Sequence, residues 1–152
     1  MLEKDMREPV FEWLKSKGYD VVCEFRLGHY VDVIGCRFAE RQGKKIPDLL
    51  YTVAVELKLS DVAGVVRQAH ENRMYVHESW AAMPRERLDR MGDRTVKKFA
   101  YAGVGLLSVY NETVSVILPP KINYGLQRRL WHRLHAGPAS EMICSWNRRR
   151  QQ

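Results

Sequence analysis

The stretch that decides the fold is Tyr51-Thr52-Val53-Ala54-Val55-Glu56-Leu57-Lys58-Leu59. Val53, Val55, Leu57 and Leu59 recur at every second position, the period of a β-strand with one apolar face. Ala54, Glu56 and Lys58 take the other face. An ionisable pair therefore sits two residues apart on an otherwise apolar strand, where charge is costly unless it is paired or binds something. Ser60 or Asp61 is placed to cap a helix running to about Tyr75, whose apolar stripe is Val62, Val65, Val66 and Ala69.

Upstream, Met6 to Lys17 reads as an amphipathic helix with Val10, Phe11, Trp13 and Leu14 at helical spacing. Gly18 suits its C-cap, and Pro9 is tolerated near its first turn. Tyr19 to Arg26 reads as a strand and Leu27-Gly28-His29 as a turn. Tyr30 to Phe38 reads as a second strand, with Tyr30, Asp32 and Ile34 on one face and Val31 and Val33 on the other. A polar hairpin spans Ala39 to Asp48, punctuated by Gly43 and Pro47.

Downstream, Val76 to Met83 is expected to be a strand closed by Pro84, followed by one long helix from Arg85 to Ala102. A hairpin follows, Val104 to Tyr110 and Thr113 to Leu118, around Asn111-Glu112. Pro119-Pro120 ends the compact part, and Tyr124 to His135 reads as a shorter helix. The order α-β-β-β-α-β-α-β-β predicts an α/β fold, a mixed sheet with flanking helices. Two regions are expected: a body over residues 1–120 and a basic, aromatic-containing C-terminal extension over residues 121–152.

The length of 152 residues suits one domain, and 45% apolar residues suffice for a core. Three cysteines with no CxxC pair argue against a disulfide framework or a zinc knuckle, and fit a reducing cytoplasm. Met1 to Glu8 lacks the apolar run of a signal peptide. The longest mostly apolar stretch, Ala100 to Tyr110, is too short to span a bilayer and carries two glycines. The expectation is a cytoplasmic protein without a membrane partner. The net charge of +7 points to an anionic partner, although it also simply favours solubility. That charge is uneven. Residues 1–120 hold 18 Lys+Arg and 17 Asp+Glu, and residues 121–152 hold 7 and 1, so the net values are +1 and +6.

Asp32 lies in Tyr30-Val31-Asp32-Val33-Ile34-Gly35, again inside an apolar strand. If its strand pairs with the one carrying Glu56, the two carboxylates converge, and oxygen ligands of that kind suit Mg²⁺ or Mn²⁺. Lys58 would then stand beside the ion, placed to orient water or offset developing negative charge. A lone Glu-x-Lys triplet is common and reads as a structural ion pair. Asp32, then Glu56-Leu57-Lys58, each inside an apolar strand and followed by a capped helix, favours a site.

Those residues and that order of elements resemble the PD-(D/E)XK nuclease superfamily, whose restriction-endonuclease-like core is α-β-β-β-α-β. The resemblance covers about Met6 to Met83. It departs at the first motif, where Val31 stands in place of proline. It implies that Asp32, Glu56 and the backbone carbonyl of Leu57 hold one or two divalent ions and that Lys58 assists the attacking water. Holliday-junction resolvases carry a metal-binding Glu on the first helix, which implies Glu8 here, with Glu12 one turn later as the competitor. RecB-like and Mrr-like nucleases carry a Gln on the helix after the Glu-x-Lys, which implies a catalytic role for Gln68, with Tyr75 expected on its face. The segment also looks like a group of uncharacterised prokaryotic proteins with this core. The implied function is a Mg²⁺-dependent endodeoxyribonuclease. The alternative is a nucleic-acid-binding or scaffolding module that keeps the fold without cutting.

Other candidates are weaker. Glu24 reads as a partner for Arg26 rather than a ligand, Asp61 as a cap, and His29 as a turn histidine that could act as a base. His70, His77, His132 and His135 lack ligand spacing, so zinc is not expected. In the extension, Arg128, Arg129, Arg133, Arg148, Arg149 and Arg150, interleaved with Tyr124, Trp131 and Trp146, form a candidate DNA-binding surface of phosphate-pairing forks and stacking rings. Cutting both strands of a duplex with so small a chain would call for a homodimer.

Overall fold

The computed structural model describes residues 1–26, 29–39, 42–43 and 48–126. The first helix, α1 (Glu3–Ser16), starts a turn earlier than its apolar pattern suggests. The Asp5 carboxylate accepts the Leu2 N–H at 2.6 Å and so closes the first turn there. Pro9 consequently lies inside the helix rather than near its first turn, and it faces the core with Met6, Val10 and Leu14. Lys17 is the C-cap, and Gly18 follows at φ +88°, the left-handed position that glycine occupies without a Cβ penalty.

Three strands come next: β1 (Asp20–Arg26), β2 (Tyr30–Ala39) and β3 (Asp48–Leu57). They pair antiparallel in sequence order. β3 begins at Asp48, three residues before its alternation does, because Ala39 pairs with Asp48 and carries the ladder to the hairpin. Residues 27–28 of the turn expected over Leu27-Gly28-His29, and most of the 39–48 hairpin, lie outside the described residues. Helix α2 (Val62–Asn72) then crosses over to β4 (Glu78–Pro84), which pairs parallel with β3. Asp61 is the N-cap of α2, and its carboxylate accepts the Gly64 N–H at 2.9 Å.

The single long helix expected over 85–102 is two helices, α3 (Arg85–Asp89) and α4 (Asp93–Ala102). Gly92 breaks the run: its extended backbone, ψ 161°, makes it the N-cap of α4. β5 (Gly105–Tyr110) pairs parallel with β4, and β6 (Thr113–Leu118) closes an antiparallel hairpin through Asn111 at φ +53°. The result is an α/β fold, a six-stranded mixed sheet in the order β1-β2-β3-β4-β5-β6.

Strand alternation sorts the core into two faces. Val53, Val55, Leu57, Trp80, Ala82, Leu107 and Val109 pack with α1. Ala81, Met83 and Leu106 pack with Val65 and Ala69 of α2 and Phe99 of α4. β4 is buried on both faces, as a central parallel strand must be. The chain stays bonded to this body past Pro120. The Lys121 N–H reaches the Gly103 carbonyl at 3.1 Å, and the Asn123 N–H reaches the His77 carbonyl at 2.8 Å. Tyr124 and Gly125 form a turn, and residues 127–135 of the expected helix, like all six candidate arginines, lie outside the described residues. No helix among the described residues is long and apolar enough to cross a membrane.

Candidate functional site

The register of β2 on β3 pairs Val33 with Val55, which puts Asp32 across from Glu56 one step further along. Val33 and Val55 face α1, so Asp32 and Glu56 face the opposite side, under the end of α2. The two carboxyl groups that the sequence places on separate strands are therefore neighbours. Asp32 Oδ2 accepts the backbone N–H of Leu57 at 2.7 Å, which fixes one oxygen and ties the end of β3 to β2.

Glu56 is 2% exposed. Its Oε1 accepts from Asn72 Nδ2 at 2.9 Å and lies 3.1 Å from His29 Nε2. Burial pushes its carboxyl up to about 7. The Asn72 amide and His29 oppose that rise, while Asp32 adds to it as a like charge and as an acceptor for a proton held on Glu56. His29 also reaches outward, its Nδ1 3.6 Å from Glu71 Oε2.

Gln68 stands one helical turn before Asn72, on the same face of α2. Gln68 Oε1 and Asn72 Oδ1 are buried acceptors with no hydrogen-bond partner among the described residues. Unmet acceptors of this kind are uncommon in a folded interior and call for a donor. Tyr75 falls beyond the end of α2, so Asn72, not Tyr75, continues the Gln68 face.

Lys58 departs from the alternation that would keep it beside Glu56. β3 ends at Leu57, and the Lys58 ammonium reaches round to α1, 3.7 Å from Glu3 Oε1. Glu3 is thus the first-helix acid that Lys58 meets. Glu8 is exposed, opposite the buried stripe of α1, and Glu12 lies on that outer side with Lys15 at 3.9 Å. Glu24 pairs with Arg7 at 3.0 Å, not with Arg26, from a left-handed backbone of φ +56° inside β1.

The structure therefore brings Asp32, Glu56 and Leu57 together, sets Gln68 one turn along the covering helix, and holds Lys58 on Glu3, with Glu8 exposed on α1. Two members of the cluster carry a weak signal or none in the sequence. His29 is a loop histidine, and Asn72 is identified only by the true end of α2. Among the described residues no three His, Cys, Asp or Glu side chains form a ready-made metal-ligand group.

No family model matches the chain, and no curated protein matches it. A protein of unknown function from Silicibacter pomeroyi is similar in structure. Its TM-score is 0.61 at 17% identity, over 96% of this chain and 88% of that one. The likeness is one of fold.

Proposed function

We propose that this protein is a divalent-metal-dependent nuclease of the PD-(D/E)XK kind, hydrolysing phosphodiester bonds in DNA. One observation carries the reading: Asp32 and Glu56 meet across two strands, with Glu56 buried and its carboxyl raised toward neutrality. Burial and the neighbouring Asp32 charge favour a proton on Glu56, against the bonds from Asn72 and His29. A proton held in that way is what a divalent cation displaces.

The donors fit such an ion. Mg²⁺ is commonly held by one or two carboxylates, with water and substrate phosphate filling the remaining positions. Asp32 and Glu56 would hold it. Leu57 directs its N–H toward Asp32, and extended backbone turns its carbonyl to the same side, which offers a third oxygen. The unmet oxygens of Gln68 and Asn72 are acceptors that ion-bound water would satisfy. A bound divalent cation supplies Lewis-acid charge at the phosphate and lowers the pKa of water.

The chain's own groups have separable tasks. Asp32 and Asn72 orient Glu56 and set its protonation. Lys58, on leaving Glu3, would donate to the attacking water or to a phosphate oxygen. Arginines of the extension would supply phosphate contacts and a steep salt dependence. A homodimer would deliver two such sites to a duplex.

A second reading is a DNA-binding module that keeps the fold without cutting. The ion pair of Lys58 with Glu3 at 3.7 Å, which occupies the ammonium, favours it. Incubation with plasmid, linear, single-stranded and branched DNA, with Mg²⁺ or Mn²⁺ and a Glu56→Ala control, separates the readings. Cleavage that depends on Glu56 supports the nuclease. Binding without cleavage on every substrate supports the module.

A further inference from the structure

On the α1 face, toward the end of the sheet away from Glu56, a cleft of about 400 Å³ opens between α1, the middle of β3 and the first residues of β4. That volume suits a small molecule or one unit of a polymer. The wall is apolar: Leu14, Val53 and the indoles of Trp13 and Trp80, which meet edge to face at 5.4 Å and 82°.

The rim is cationic. Lys17 Nζ lies over the Trp13 ring at 4.8 Å, and the Arg37 guanidinium lies over the Tyr19 ring at 4.2 Å. Arg37 also donates to the Lys17 carbonyl at 2.6 Å, which sets the two side by side. Neither has a carboxylate partner among the described residues. One acid completes the cleft. Glu78 accepts from Trp80 Nε1 at 3.0 Å, and a carboxylate so engaged still has acceptor capacity.

We propose that this cleft is a second binding site and that it takes a nucleotide. The base lies against Trp13, the less buried of the two indoles, an exocyclic amine donates to Glu78, and the phosphate is held by Lys17 and Arg37. Competing chemistries fit less well. A cationic ligand would meet like charge from Lys17 and Arg37 at the rim. A neutral apolar one would leave two unpaired cations and Glu78 unused. A simple organic anion would satisfy the rim and bring no donor to Glu78.

Val53 lines the cleft, and Glu56 is three residues further along β3 on the opposite face, roughly 10 Å away along the strand. The two sites can be filled independently, and the inference does not rest on the nuclease reading. The nucleotide has two sources, a free monophosphate or the unpaired end of a nucleic acid.

The test is calorimetric titration of the full chain in EDTA with dAMP, dCMP, dTMP and deoxyadenosine. A short single strand and a blunt duplex complete the panel. Saturable dAMP and dCMP binding is expected, at least tenfold weaker for deoxyadenosine and for a Lys17→Ala/Arg37→Ala double variant. Glu78→Gln should weaken dAMP and dCMP more than dTMP. Both substitutions alter exposed or rim groups, and unchanged melting would confirm that the variants fold. Glu56→Gln should leave binding intact, so failure here and failure of the nuclease reading are distinguishable. Tighter binding of the single strand than of dAMP, with the excess lost in the double variant, assigns a nucleic-acid end, and the reverse assigns a free nucleotide. Absence of nucleotide binding at millimolar concentration would overturn the proposal, as would deoxyadenosine binding equal to dAMP, or affinities unmoved in the double variant.

Discussion

Asp32 and Leu57 hold the end of the sheet together: the carboxylate of one accepts the backbone N–H of the other at 2.7 Å. The bond sets the Asp32 oxygen beside Glu56 and turns the Leu57 peptide toward β2. Removing the acceptor leaves a part-buried N–H without a partner, a loss of about 1–3 kcal/mol. Asp32→Ala should therefore destabilise the fold by that order, and Asp32→Asn, which keeps an acceptor oxygen, by clearly less. Urea unfolding of the two variants checks the difference. Equal stability of Asp32→Ala and the natural chain would contradict it.

Glu56 makes stability depend on pH with a definite sign. Its folded pKa of about 7 lies above the ordinary 4.5, so between those values the folded chain keeps a proton that the unfolded chain has released. The contribution is fully present below about 4.5 and is lost as pH rises through about 7. In EDTA, the natural chain should lose stability relative to Glu56→Gln across that window. Mg²⁺ requires the ionised form, so its thermal shift should be larger at pH 8 than at pH 5.5. Melting curves at both pH values, with and without Mg²⁺, measure this. A Mg²⁺ shift independent of pH would argue against Glu56 as a ligand.

Asn72 supports the ionised form of Glu56 through its 2.9 Å bond. Asn72→Ala should raise the Glu56 pKa further and weaken Mg²⁺ or Mn²⁺ binding by several-fold at neutral pH. Titration of Mn²⁺ into the two proteins reads the change, and equal affinities would assign Asn72 to packing alone.

Much of this arrangement is legible in the residues. Period-two alternation in 51–59 gives β3, and the Asp61 cap marks the start of α2. The convergence of Asp32 with Glu56 needs only that β2 and β3 pair. Other features depend on chain ends that no periodicity reports. The Leu2–Asp5 turn moves the start of α1, and the extended Gly92 splits an otherwise continuous helical pattern. Lys58 is the instructive case. Alternation predicts that it shares a face with Glu56, but alternation holds only while the strand lasts, and β3 stops one residue earlier. His29 and Asn72 join the site through tertiary placement, which a single sequence does not encode locally.

The basic extension gives a prediction at a boundary that the structure moves. Lys121 and Asn123 are bonded to the body, so truncation after residue 126 is less disruptive than truncation after 120. Residues 127–152 carry six arginines against one glutamate. Their removal should weaken DNA binding at least tenfold at low salt and flatten its salt dependence. Fluorescence anisotropy over a salt series checks both. An unchanged salt slope would place the DNA contacts on the body.

Variants of Lys58 and Glu3 separate a cutting from a non-cutting protein. If Lys58 is catalytic, Glu3→Gln should preserve or raise cleavage, since it frees the ammonium, and Lys58→Ala should lower it by at least a hundredfold with DNA affinity retained. The most direct measurement is nicking of supercoiled plasmid in Mg²⁺ and in Mn²⁺ by the natural chain, Glu56→Ala and Lys58→Ala side by side. The account predicts metal-dependent nicking by the natural chain alone. Nicking that survives in both variants, or none by any protein in either metal, would contradict it.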